Sequence, residues 1–158
     1  MERLYLDEFP GLKYRIHLVR ENRVETLNEP VSPLNRSDDA YQYIRSGLEN
    51  KDREILVVIL LDVKNAPIGV NLVSIGSLET SVAQPREIYK AAILASAKSI
   101  ILVHNHPSGN PTPSKEDMET TRQVKEAGDI LGVTFLDHII VGRDCYCSMA
   151  DQGYLQGR

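Results

Sequence analysis

Two of the four histidines in this chain stand in one tripeptide, His104-Asn105-His106. They close an apolar run, Ile100 to Val103, that reads as a short buried strand. Side chains at i and i+2 of a strand leave the same face, so both imidazoles can reach one cation. Pro107 stops the strand, which places the pair at a sheet end. A carboxylate is the donor that would complete the set. Asp117 lies eleven residues after His106, in the first turn of a helix for which Ser114 is the N-cap. The Ser, Gly, Asn and Pro residues of 108–113 let that turn fold back over the strand end. Two imidazoles and one carboxylate leave the fourth tetrahedral position of a zinc ion to water, the pattern of a catalytic rather than a structural site. Zinc in such a site lowers the pKa of water to about 7 and polarises a carbonyl. Each piece also has a plainer reading. The histidines fit a surface pair, and Asp117 fits a helix-start carboxylate favoured by the helix dipole.

The elements that must position these residues can be traced along the chain. Residues 13–20 alternate polar and apolar, as a half-buried strand does, and residues 28–37 hold two prolines and read as a linker. Residues 1–35 are thus an N-terminal arm with one strand or hairpin, packed outside the domain or on a neighbouring chain. Residues 36–158 form the metal-binding domain. Ser37 is the candidate cap of a helix carrying Ala40, Tyr43, Ile44 and Leu48 on one face. The unbroken apolar run Ile55 to Leu61 predicts a central strand covered on both sides. Lys64 to Pro67 supplies a turn, and Ile68 to Ile75 returns as a strand. Pro85 opens a helix through Ala97 on an Ile88, Ala92, Ala95 face. Ser114 caps a helix with Met118, Thr121, Val124 and Leu131 on its stripe, and Gly132 ends it. Val133 to Val141 is the last long strand. Helices and strands intermix, so the class is α/β (α+β) with a partly antiparallel sheet.

Composition excludes several function classes. Apolar residues make up 42% and charged residues 25%, which is ordinary for a globular domain and too apolar for a disordered chain. Eighteen basic residues against 22 acidic give a net charge of −4, which argues against a generic nucleic-acid coat. Cys145 and Cys147 are too few for a disulfide framework and read as apolar filler in a reducing compartment. The first residues lack a secretory signal, and Ile55 to Leu61 is far too short to span a bilayer. A cytoplasmic protein is expected. His17 reads as a surface strand residue.

The longer string His104-Asn-His-Pro-Ser-Gly-Asn-Pro-Thr-Pro-Ser114-Lys-Glu-Asp117, followed by Asp137-His138-Ile-Ile-Val-Gly142, carries a resemblance. It resembles the JAMM metalloprotease signature, His-x-His, ten residues, then Asp, with Ser three before the Asp. The whole of residues 37 to 155 is similar to the RadC-type branch of the MPN/JAMM fold. That resemblance implies a cytidine-deaminase-like curved mixed sheet flanked by helices, with zinc at one sheet end. It implies His104, His106 and Asp117 as ligands, Ser114 as a stabiliser of the oxyanion, and a Glu at the start of the first core strand acting on the water that zinc activates. Glu54 holds that position. The residues alone would not choose it over Glu79 or Glu87, and Glu87 reads as a first-turn acid of its helix. Asp137 and His138 are candidates to fix the ligands by hydrogen bonds to the far imidazole nitrogens. The chain departs from the JAMM deubiquitinases at Asn105, where they carry Ser or Thr, and in its short connections. It also lacks the helix–hairpin–helix segment common in RadC-type proteins.

The function expected from these readings is a zinc-dependent hydrolase, a metallopeptidase or isopeptidase with a peptide or protein substrate. The alternatives are a DNA repair or nucleic-acid processing protein of RadC type, and a metal-stabilised interaction module without turnover.

Overall fold

The apolar run of the sequence becomes a strand with no solvent face. A computed structural model describes residues 32–76 and 84–155, and in it β1 (Ile55–Leu61) is buried at every position after the first. Its neighbours are β2 (Pro67–Ile75), running antiparallel on one side, and β3 (Ser99–Asn105), antiparallel on the other. β4 (Thr134–Val141) lies parallel to β3, and the short β5 (Tyr146–Ser148) pairs antiparallel with β4. The sheet order is therefore β2-β1-β3-β4-β5. A mixed sheet of this kind matches the α/β expectation. The arm at residues 1–31, with its expected strand and His17, and Glu79 lie outside the described residues.

Helices cover both faces. α1 (Ser37–Leu48) buries Ala40, Tyr41 and Leu48 against Val57, Ile59, Ile101, Val103 and Ile139. Tyr43 and Ile44 of the expected face are only partly buried there. On the opposite face, α2 (Pro85–Leu94) and α3 (Lys115–Leu131) enclose Leu56, Val58, Ile100 and Leu102 together with Ile88, Tyr89 and Val124. Alternation along β1 and β3 thus feeds two separate cores, which is why both strands read as continuous apolar runs. β2 is an edge strand, and only half of its side chains are covered.

Several local expectations need correction. Ser37 is the first residue of α1 rather than its cap. Asp39 Oδ2 accepts from the backbone N–H groups of Asn35 and Arg36 and so satisfies that end, while the Ser37 hydroxyl bonds Asp151. α2 stops at Leu94, three residues short of Ala97, because Ser96 takes a left-handed φ of 53° and turns the chain into β3. β3 is longer than the run Ile100 to Val103 and carries His104 and Asn105 inside the ladder. On α3, Met118 and Leu131 are substantially exposed, and the buried stripe is Asp117, Thr120, Thr121, Val124 and Gly128. That stripe is small and polar because it covers the sheet end that holds the histidines, not only apolar core. Ser114 and Gly132 do cap α3, the latter at φ 70°. Among the described residues no helix is long and apolar enough to cross a membrane.

Gly128 marks where α2 and α3 meet. A Cβ there would run into the Tyr89 hydroxyl and lie 2.7 Å from the Val133 carbonyl oxygen. The same hydroxyl donates to the Val124 carbonyl at 2.9 Å, so it is not free to move aside. Gly128→Ala should therefore destabilise by about 1–3 kcal/mol, the usual scale of overpacking, despite the better helix propensity of alanine. Denaturant unfolding checks this. An unchanged or higher midpoint would show that the two helices separate at little cost.

Candidate metal centre

The sheet brings the histidines to its end by register. His104 pairs with Leu56 of β1 on one side and Ile140 of β4 on the other, so it is walled in by two strands. His106 follows two residues later, where its N–H donates to the Val141 carbonyl. α3 begins above this end. Its first turn delivers Asp117, whose carboxylate oxygens lie 3.1 Å from His104 Nε2 and 3.4 Å from His106 Nε2. The two Nε2 atoms are 3.0 Å apart, and the donor atoms of all three residues fall within 4.8 Å of one another. Geometry thus unites the three residues that the spacing singled out.

Hydrogen bonds behind the ligands determine which atoms face inward. Thr121 Oγ1 donates to the Asp117 carbonyl at 2.7 Å, so it has only lone pairs left for His138 Nδ1, also at 2.7 Å. His138 must then carry its proton on Nδ1 and present a bare Nε2 to His104 Nδ1, 2.8 Å away. His104 Nδ1 donates in turn, which leaves His104 Nε2 as a lone pair aimed at Asp117. His106 is set the same way, because its Nδ1 donates to the Asn110 carbonyl at 2.8 Å. Complete burial holds the His138 imidazole well below its ordinary pKa and keeps it neutral, as this chain of donors requires.

Asp117 is prepared similarly. Ser114 gives Oδ2 two hydrogen bonds at 2.7 Å, one from its backbone N–H and one from its hydroxyl, and accepts the Asp117 N–H at 3.0 Å. Oδ1 is buried and has no hydrogen-bond partner. Burial alone would raise this carboxyl, but hydrogen bonds from the His104 and His106 imidazoles when these carry a proton on Nε2, and from Ser114, outweigh that and hold it well below the usual carboxylate range. Two imidazole lone pairs and an orphaned carboxylate oxygen facing one another repel unless a cation sits between them. The donor set therefore fits a divalent metal, and two nitrogens with one oxygen suit zinc. His104 and Asp117 are sealed from solvent, whereas 14% of the His106 side chain is exposed, so access is from the His106 side.

The remaining candidates separate cleanly. Glu54 stands just before β1, whose first paired rung with β3 is Leu56 with His104, and its charge is among the influences that raise the His106 imidazole, after the Asp117 carboxylate and the Asn110 carbonyl. Glu87 is paired with Lys90 and Arg86 on the exposed start of α2 and does not join the group. Asp137 does not touch a ligand. Its oxygens accept from the N–H groups of His138 and Ala150 and from the Ser148 hydroxyl, which fastens β4 to the chain beyond β5. Cys145 and Cys147 are free thiols outside the group. The sequence reading missed Thr121, Asn110 and the use of Asn105. Asn105 Oδ1 accepts from the Ile55 N–H at 2.8 Å, and its Nδ2 donates to the Arg53 carbonyl at 3.0 Å. One amide side chain thus grips the backbone on both sides of Glu54.

Comparison with known proteins agrees with this architecture. A family model described as "RadC-like JAB domain" matches residues 34–154. The chain belongs to this family. A UPF0758 protein of Caldanaerobacter subterraneus subsp. tengcongensis is 45% identical over 143 residues, 90% of this chain and 61% of that protein. A UPF0758 protein of Methanosarcina mazei is 40% identical over 135 residues, 85% and 59% of the two chains. One of Rubrobacter xylanophilus is 46% identical over 134 residues, 84% and 59%. The chain spans about three-fifths of the length of the curated relatives it matches. In this RadC-like JAB domain the His104, His106 and Asp117 group stands at the open end of the sheet, beside Glu54.

Two outcomes follow for metal binding. Thr121→Val keeps the volume but removes the acceptor that orients His138, and His138→Phe removes the relay itself. Each should weaken zinc binding by about 10–100-fold in competition with a chromophoric chelator. Parental affinity in both variants would show that the ligand tautomers need no such support.

The pH dependence has a definite sign. His106 is raised above 6.5 in the metal-free protein, so its contribution to stability is whole below 6.5 and is lost as pH rises through its folded-state value. Metal needs neutral imidazoles, so zinc affinity should rise across the same window. Melting of the metal-free protein should therefore fall as pH rises above 6.5, while the difference between loaded and metal-free protein widens. A difference that narrows with rising pH would contradict the ligand assignment.

Proposed function

We propose that this domain is a zinc-dependent hydrolase of amide or isopeptide bonds, with Glu54 as the group that moves the proton. The observation that supports it is the convergence of His104, His106 and Asp117 donor atoms at a sheet end open on one side, with the Glu54 charge among the influences on the His106 imidazole. Zinc held by these three residues would supply a Lewis acid for a carbonyl and bring the pKa of a water to about 7. Glu54 takes a proton from the attacking water and becomes the neutral acid. It then gives that proton to the leaving nitrogen, which departs as the amine while the carbonyl carbon keeps the new oxygen. The grip of Asn105 on residues 53 and 55 limits how far this carboxylate can wander. In the structure the Ser114 hydroxyl donates to Asp117 Oδ2. Ser114 can donate to a developing oxyanion only by rotating, and its backbone N–H then still holds Asp117.

The test combines metal analysis with a peptidase screen in the presence and absence of a chelator. The purified protein should carry one zinc per chain, and His104→Ala should abolish tight binding. Glu54→Gln should bind zinc like the parent and keep its stability within about 1 kcal/mol, because the position is a strand end. Hydrolysis should fall by about 100-fold or more, the scale of a positioned general base. Parental turnover in Glu54→Gln would remove Glu54 from the reaction. Tight zinc binding with no turnover on any peptide, isopeptide or phosphodiester substrate would favour the interaction module instead.

A further inference from the structure

The one ligand that solvent can reach also forms a wall of a hollow. His106 faces it from the end of β3, Lys51 from the turn after α1, and Arg143 from the turn between β4 and β5. The acid on this lining, Glu49, already accepts the Tyr41 hydroxyl at 2.5 Å. Neither Lys51 nor Arg143 has an ion pair among the described residues, whereas Arg122, Lys125 and Lys90 are each matched to a carboxylate on their own helix. Two cations without an ion pair among the described residues therefore share this lining with His106, in a chain whose net charge is −4.

The floor of the hollow is built to hold its shape. The Arg143 N–H donates to the Gly109 carbonyl at 2.9 Å, and Gly109 belongs to the loop whose Asn110 orients His106. Gly142 lies so close to this loop that a Cβ would sit 2.5 Å from the Gly109 oxygen and 2.9 Å from Pro111 Cδ. The Arg143 backbone and the His106 ring are thus set by one piece of structure. The backbone that carries Arg143 is thus anchored, and its exposed guanidinium fork has the geometry to meet a planar carboxylate. The surroundings select a single anionic group over a polyanion, because the excess of acids repels a long phosphate chain.

We propose that this hollow is a carboxylate subsite, with Lys51 and Arg143 recognising an anionic group one or two residues from the bond that the metal centre attacks. The inference rests on the hydrolase reading for its meaning but is tested by binding alone. It narrows the substrate to peptides with a free C-terminal carboxylate or an acidic side chain beside the scissile bond.

Short N-acetylated peptides in four forms serve as probes: free or amidated at the C-terminus, with Glu or Gln at the last residue but one. Binding is measured by chemical-shift titration on the zinc-loaded protein carrying Glu54→Gln, so that no turnover is needed. At least one carboxylate form should bind about 10-fold more tightly than the fully neutral peptide. Lys51→Gln with Arg143→Gln should erase that preference while leaving zinc affinity unchanged. The free-terminus and Glu arms then tell which carboxylate is read. Equal binding of all four peptides overturns the subsite. Tighter binding of a short single-stranded oligonucleotide, lost in the same double variant, overturns it in favour of a phosphate ligand. Failure of the parental zinc-loaded protein to hydrolyse any of the peptides that bind with the carboxylate preference would count against the hydrolase reading and leave the subsite standing.

Discussion

Three electron-pair donors held face to face within 4.8 Å of one another are the constraint on which this structure turns. Two are neutral imidazole nitrogens, and the third is a carboxylate oxygen with no hydrogen-bond partner in a buried place. Left to themselves they repel, and removing a carboxylate from water without compensation costs several kcal/mol. The protein does not relieve this by turning a proton donor toward the cluster. It uses Thr121, His138 and the Asn110 carbonyl to keep both ring protons on the far side. A cation between the three would offset that cost, so the donor set fits a metal ion on physical grounds, apart from any resemblance.

The rest of the fold is arranged around that requirement. Two donors on one strand need alternate positions and a place in the sheet with walls on both sides, and β3 supplies this between β1 and β4. The third must arrive from another element with little freedom. The start of α3 gives it through a reciprocal cap in which Ser114 and Asp117 bond each other. The carboxylate oxygen that closes the helix is therefore engaged by Ser114, and the other is the one left free to hold a cation. A helix cap here does double duty: it sets where α3 begins and which oxygen of Asp117 is free. The polar stripe of α3 extends this logic, because Thr121 lies one turn after Asp117 and reaches His138 below it.

How much of this was legible in the sequence depends on distance along the chain. The ligand trio could be read because its members sit within fourteen residues, and strand alternation and a capping serine are local rules. The central strand was legible from composition, since burial on both faces leaves no room for polar residues. Helix ends were read less well. Ser37 had the right chemistry for a cap, but Asp39 took the two N–H groups and left the hydroxyl to a tertiary bond with Asp151. Met118 and Leu131 looked like core, yet α3 turns a polar face to the sheet because of what lies there. Glu54 and His138 could be reached from the sequence only through a family resemblance, since fifty residues separate Glu54 from His104. No periodicity links them. Antiparallel pairing of β1 with β3 does.

Asn105 shows how a departure from a family pattern can have a local physical reason. It stands between two ligands, and strand alternation sends its side chain to the other face from theirs. At that point the ladder between β1 and β3 is ending, so the backbone groups of residues 53 and 55 need other partners. An amide has a donor and an acceptor on separate atoms and can satisfy the Arg53 carbonyl and the Ile55 N–H together. A serine or threonine hydroxyl has one oxygen and a shorter reach, and cannot span both groups in the same way. Where the JAMM deubiquitinases carry such a hydroxyl, the segment bearing their glutamate must be held by other means. In this chain the amide extends the β1–β3 pairing by one more rung, and the residue inside that rung is Glu54.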